Sequence, residues 1–213
     1  MMSRREILEL ARSTIECEIA GVATLLEQLD DAFVEAAHRL LACEGHVLVA
    51  GAGTSNPIAA RLAHLLSCCG TPALFIHPGD SQHGLSGAVT ERDVLIAISK
   101  GGETMEVNHL ARVAKGRGGT LIALTEDPSS TLGRLSDVVL HVQVPPDVDP
   151  YGMIATGSSL INAALGDALC VVLLKLRGYS LDDFGLTHPG GAVGKKLAGE
   201  PTFQPPTLEP ETC

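Results

Sequence analysis

What most constrains this chain is an alternation. Five short, nearly unbroken apolar runs, at 46–50, 73–76, 94–98, 120–125 and 138–142, are separated by segments whose apolar residues recur at helical spacing. A strand with one wet face alternates apolar and polar residues, so a run without polar breaks is buried on both faces. Such strands, separated by helices, form a parallel sheet covered on both sides. The expectation is an α/β chain, a three-layer sandwich with helices at 55–69, 104–117 and near Ser130.

The flanks are helical. Ile7, Leu8, Leu10, Ala11, Thr14 and Ile15 begin a pattern that continues through Leu25, Leu26 and Leu29, predicting one long helix, and a second follows at 32–43. After the last strand, "GSSLINAALGDALCVVLLKLRG" predicts a helix at 157–178 that is apolar nearly all round. Such a helix is buried, in the domain or against another subunit. The organisation expected is N-terminal helices (1–45) packed on a core (46–198), then a flexible, Pro-rich tail (199–213).

Composition narrows the function. With 15 Lys and Arg against 25 Asp and Glu, the charge of −10 excludes the basic footprint of a nucleic-acid-binding protein. An anion must then be bound by a locally built site. Aromatics are 3% and Trp is absent, so Val, Leu, Ile and Ala fill the core. "MMSRREILEL" has no basic region followed by an apolar core, so no signal peptide is expected. Asn162 and Asp167 interrupt the apolar helix, and no membrane span is expected. The six cysteines show neither CxxC spacing nor disulfide-scaffold density, which fits buried thiols in a reducing cytoplasm, with Cys213 a free thiol in the tail.

Two strand ends carry glycine loops. "VLVAGAGTSNPIAARLA" runs from strand through Gly51, Gly53, Thr54 and Ser55 into helix, and "VLIAISKGGETMEV" runs through Ser99, Lys100, Gly101, Gly102 and Thr104. In a parallel sheet, ligands collect at the carboxyl ends of strands, where helix N-termini present amides and a partial positive charge. Hydroxyls add donors without charge, so both loops suit a phosphate. The first is no Walker A, lacking Gly-Lys-Ser/Thr after its spacer, and Asn56 takes the third position of GxGxxG. A dinucleotide-binding dehydrogenase is excluded as well. The second strand runs into His77-Pro78-Gly79, and Asp80 lies further from the loop than a ribose-binding acid should.

"GAGTS", "AISKGGET" and, after the apolar helix, "LTHPGGAVGKKL" together resemble a sugar isomerase (SIS) domain, and more narrowly the arabinose-5-phosphate isomerases. The likeness covers about residues 5–198. It implies a five-stranded parallel sheet, a homo-oligomer, expected to be a tetramer, with sites at subunit interfaces, and a sugar-phosphate substrate. Phosphate-binding positions match Ser55, Ser99 and Thr104, and catalytic positions match Thr54, Glu106, Asp147 and His188. The chain departs from the pattern at four places. Thr54 stands where the isomerases carry Lys, Asp147 where they carry Glu, Gly101 replaces a Ser, and Lys100 replaces an uncharged residue. The resemblance also implies that the His matching His83 lies near the site, where adventitious or inhibitory zinc can meet it, with no metal required.

Aldose–ketose isomerisation needs a base, a proton relay and positive character near a developing oxyanion, without redox chemistry. Glu106, in the helix after the phosphate loop, is the expected base, and Glu103 is expected to cap or be solvated. His188 is expected to open the sugar ring or relay a hydroxyl proton, with Asp147 orienting it or a substrate hydroxyl. Lys100 is a candidate to replace the charge missing at Thr54. The alternative is a SIS-type sensor that binds a sugar phosphate without turnover; Glu106 and His188 favour catalysis, since binding alone requires neither.

Overall fold

The computed structural model describes residues 2–189 and Gly194. The expected tail, Cys213 and the residues after Pro189 apart from Gly194 lie outside that range. In chain order the elements are α1 (Arg4–Ala23), α2 (Leu25–Gln28), α3 (Asp31–Leu41), β1 (Val47–Gly51), α4 (Ser55–Cys68), β2 (Ala73–Phe75), α5 (Pro78–Ser81) and β3 (Val94–Ile98). They continue with α6 (Met105–Gly116), β4 (Thr120–Thr125), α7 (Thr131–Leu135), β5 (Val138–His141), α8 (Gly157–Arg177) and α9 (Leu181–Thr187). The strands form one parallel sheet in the order β2-β1-β3-β4-β5.

The central strands explain the unbroken apolar runs. In β1 and β3 every residue is buried, because successive side chains enter opposite layers. Val47, Val49, Val94, Ile96 and Ile98 meet α3, α4 and α8, while Leu48, Ala50, Leu95 and Ala97 meet α6 and α7.

At 21 residues, with a mean hydropathy of 1.8 over its most apolar window, α8 is long and apolar enough to cross a membrane by length and composition, despite Asn162 and Asp167. In the fold it packs against α1, α3 and α4 with Ile161, Leu165, Leu169 and Leu173 buried. Removing each such side chain from water contributes about 1.5–3 kcal/mol.

Two expectations are corrected. The N-terminal helix is not continuous to Leu29: a turn at Thr24, whose amide bonds back to the Gly21 and Val22 carbonyls, separates α1 from α2. Gly21 is buried where a side chain would meet Val148 and Ile161, whereas Ile7, Leu10, Ile15 and Ile19 of α1 remain exposed. Of the described cysteines, all free, Cys170 alone is buried; Cys17, Cys43, Cys68 and Cys69 are half-buried. Burial pushes the Cys170 thiol up to about 12, so it stays neutral.

Candidate active site

β1 and β3 pair in register, Gly51 opposite Ile98. The two glycine loops therefore leave the sheet side by side, on strands about 4.8 Å apart. In the second loop Ser99 is buried and its amide donates to the Leu124 carbonyl (3.1 Å). Its hydroxyl lies 2.9 Å from the Thr104 hydroxyl. Thr104 is the N-cap of α6, yet its side chain does not cap the helix. Both hydroxyls thus stand at the start of α6, beside its first-turn amides, where a phosphate oxygen can take the place of their mutual contact.

The loop is held from below. Thr125 Oγ1 (3.0 Å) and the Glu126 amide (2.8 Å) donate to the Lys100 carbonyl. The Leu132 amide and Asn108 Nδ2, each at 3.0 Å, donate to the Gly102 carbonyl. Gly102 has φ +66°, and a side chain there would run into Ser130. Glu103 accepts from the Thr131 amide (2.7 Å), so it caps α7; that bond holds its carboxyl below the ordinary value. Glu106 lies in the first turn of α6, two residues after Thr104, and is half-buried.

The first loop has a different design. The amides of Ser55 and Asn56 turn back onto the carbonyls of Ala52 and Gly53 (3.1 Å each), and the next residue is Pro57, which has no N–H. This end of α4 therefore offers chiefly hydroxyls, those of an exposed Thr54 and a half-buried Ser55. Gly51 is required by close approach: a side chain there would meet the Ser55 backbone at 2.6 Å.

His83 is exposed, follows α5 after β2, and stands at the same edge of the sheet; α5 packs on α6. Among the described residues no three His, Cys, Asp or Glu side chains are grouped to hold a metal ion.

The remaining expected residues fall elsewhere. Asp147 is exposed in the loop before α8, and its carbonyl accepts from the Cys17 thiol (3.4 Å). Within one chain it makes no hydrogen bond to His188. That imidazole stacks on Phe184 (centroids 3.8 Å apart), and its Nδ1 lies 2.9 Å from Thr187 Oγ1. Its Nε2 lies 3.4 Å from Cys68 Sγ. Cys68 ends α4, whose 14 residues span about 20 Å from Ser55. Because α4 runs antiparallel to the strands, His188 sits at the amino edge of the sheet. Within one chain it does not meet Ser99, Thr104 and Glu106.

Lys100 does not reach over the first loop; its Nζ donates to Asp149 Oδ2 (2.9 Å). Sequence reasoning missed Asp149 and Asn108. Asp149 reads as an ordinary turn acid before Pro150, and nothing in "MEVNHL" marks Asn108 as a prop for a loop behind it.

Comparison with known proteins agrees with this architecture. The SIS domain model matches residues 40–172. Arabinose 5-phosphate isomerase KdsD of Yersinia pestis is 38% identical over 189 residues, covering 89% of this chain, which spans 58% of that relative's length. A protein of E. coli CFT073 solved in complex with arabinose 5-phosphate superposes with a TM-score of 0.85 at 31% identity, over 88% of this chain and 100% of the other. A Listeria monocytogenes structure provisionally described as a sugar-phosphate isomerase gives 0.86 at 36% identity, over 89% and 100%. The paired glycine loops, the sheet order and these matches agree: the chain belongs to the SIS domain family.

Proposed function

We propose that this chain is a phosphosugar aldose–ketose isomerase, acting on arabinose 5-phosphate and ribulose 5-phosphate or a related sugar phosphate through an enediol. The observation that carries this reading is the placement of Glu106 in the first turn of α6, two residues after Thr104, whose hydroxyl pairs with that of Ser99. A phosphate anchored there by Ser99, Thr104, Ser55 and the loop amides fixes one end of the sugar. Its reacting carbons then extend along the edge, where the Glu106 carboxylate takes the C2 proton of the aldose and returns it to C1. The proton moves within the substrate and the overall oxidation state does not change. The reaction therefore calls for no redox cofactor, and a base with hydrogen-bond donors at the developing oxyanion can serve it without an obligatory metal. The relatives named arabinose 5-phosphate isomerase and the neighbour solved with arabinose 5-phosphate support the substrate class.

The ring-opening and hydroxyl-relay role falls to His188 of a second copy. Its own chain holds it at the far end of α4, about 20 Å from Ser55. The exposed apolar residues Ile7, Leu10, Ile15 and Ile19 on α1, with Leu160 and Val171 on α8, supply apolar surface for such an assembly, which we read as a cytoplasmic homotetramer.

The test is proton exchange followed by NMR in deuterated water with a panel of pentose, tetrose and hexose phosphates. Deuterium entering C1 of one ketose or C2 of its aldose, with interconversion of the two and loss of both in Glu106→Gln, supports the reading. Binding without exchange for every sugar phosphate refutes catalysis and makes the chain a sensor.

A further inference from the structure

Asp149 is the most deeply buried acid at the carboxyl edge of the sheet, its side chain 4% exposed. Both oxygens are engaged. Oδ1 accepts from the Ser158 amide (3.0 Å) in the first turn of α8, and Oδ2 accepts from Lys100 Nζ (2.9 Å). Burial alone would raise this carboxyl, but the hydrogen bonds from Ser158 and Lys100 outweigh it and hold it below its ordinary value. The carboxylate therefore occupies the N-terminus of a 21-residue helix, the place where an external anion would otherwise be drawn. That helix end is not the phosphate seat.

The other partner is anchored as firmly. The Lys100 carbonyl is held by Thr125 and Glu126, and its ammonium by Asp149, so both ends of the residue are fixed. The side chain, on the residue that follows Ser99, is still 41% exposed, so the ion pair does not close it off from a ligand at the loop. A free lysine on a loop must be ordered when an anion binds, at a cost in rotamer entropy. Here folding has already ordered it. Because α8 shares the negative charge of Asp149, that carboxylate does not fully cancel the ammonium.

We infer that Asp149 is a positioning residue: it holds the Lys100 ammonium ready at the mouth of the phosphate loop, so that the anionic end of a sugar phosphate meets a fixed cation. The inference rests on the phosphosugar reading of the loop. It makes a prediction of sign. Charge counting alone says that Asp149→Asn makes the edge more positive and tightens anion binding; positioning says that binding weakens.

The experiment is calorimetric titration of arabinose 5-phosphate and of inorganic phosphate into the parent protein, Lys100→Met, Asp149→Asn and the double variant, with melting temperatures measured alongside. Each single variant is expected to weaken both ligands about tenfold, the loss of one charge-assisted contact. The double variant should bind no more weakly than the singles, yet melt closer to the parent, because it buries no unpaired charge. Lys100→Arg should keep affinity within about threefold of the parent, since it restores the charge but not the reach. Tighter or unchanged binding by Asp149→Asn overturns the inference, as does a double variant with parental affinity. If the parent binds neither ligand, the phosphosugar reading falls and this inference with it. If it binds but exchanges no proton, only the enzymatic reading falls, and the sign for Asp149→Asn still decides.

Discussion

Gly101 and Gly102 are neighbours in the second glycine loop, but alanine should affect them very differently. Gly102 has φ +66°, a conformation that costs an L-residue about 1–2 kcal/mol. A methyl group there would also run into the Ser130 side chain. Ser130 cannot simply rotate away, because its Oγ accepts from the Gly133 amide (3.2 Å) as the N-cap of α7; losing that cap costs about 1 kcal/mol. Gly102→Ala should therefore lose about 2–3 kcal/mol of stability. At the 2–4 °C per kcal/mol typical of a chain this size, the melting temperature falls by about 5–10 °C. Gly101 lacks a positive φ, and a methyl group there would meet nothing within 4 Å beyond its chain neighbours, so Gly101→Ala should stay within about 0.5 kcal/mol of the parent. Thermal unfolding at matched protomer concentration makes the comparison, with phosphate titration of each variant. Equal melting temperatures for the two variants would refute the steric reasoning. A destabilised Gly102→Ala with parental phosphate affinity would show that the carbonyl held by Asn108 and Leu132 does not shape the anion site.

Two further outcomes are expected. Asp93 is buried, which alone would raise its carboxyl. It nonetheless lies below its ordinary 3.8, because it accepts from the amides of His46 and Thr90 and from the Thr90 hydroxyl. A folded-state value below the unfolded one stabilises fully above pH 3.8, and that stabilisation is lost as pH falls through the folded-state value. Asp93→Asn should thus cost about 1–3 kcal/mol at neutral pH in denaturant titration, with the gap to the parent closing in acid; a pH-independent gap would contradict this. Separately, if His188 serves the site of another copy, mixing inactive Glu106→Gln and His188→Ala chains should regenerate about a quarter of the sites, measured as activity after co-refolding. Mixed chains that remain inactive would place both residues in one chain's site.

Much of this protein was legible in its sequence because the signals were local. Unbroken apolar runs between helical segments specified a parallel sheet, and all five runs became strands with bounds shifted by at most a residue or two. The hydroxyls and glycines of the second loop pointed to a candidate anion site at a strand end, and the fold sets that loop beside the first one, on adjacent strands. What depended on long-range geometry was not legible. The partner of Lys100 lies 49 residues away, and no local pattern announces that an acid before Pro150 will reach both a helix N-terminus and an ammonium. The turn at Thr24 follows Gly21, whose close packing against Val148 and Ile161 brings together residues distant in sequence. The sequence placed His188 beside a turn, but only tertiary structure put it at the amino edge of the sheet, against Cys68. Periodicity determines which face of an element is buried; the packing of those elements decides which distant side chains meet, and that pairing set the charge at the carboxyl edge.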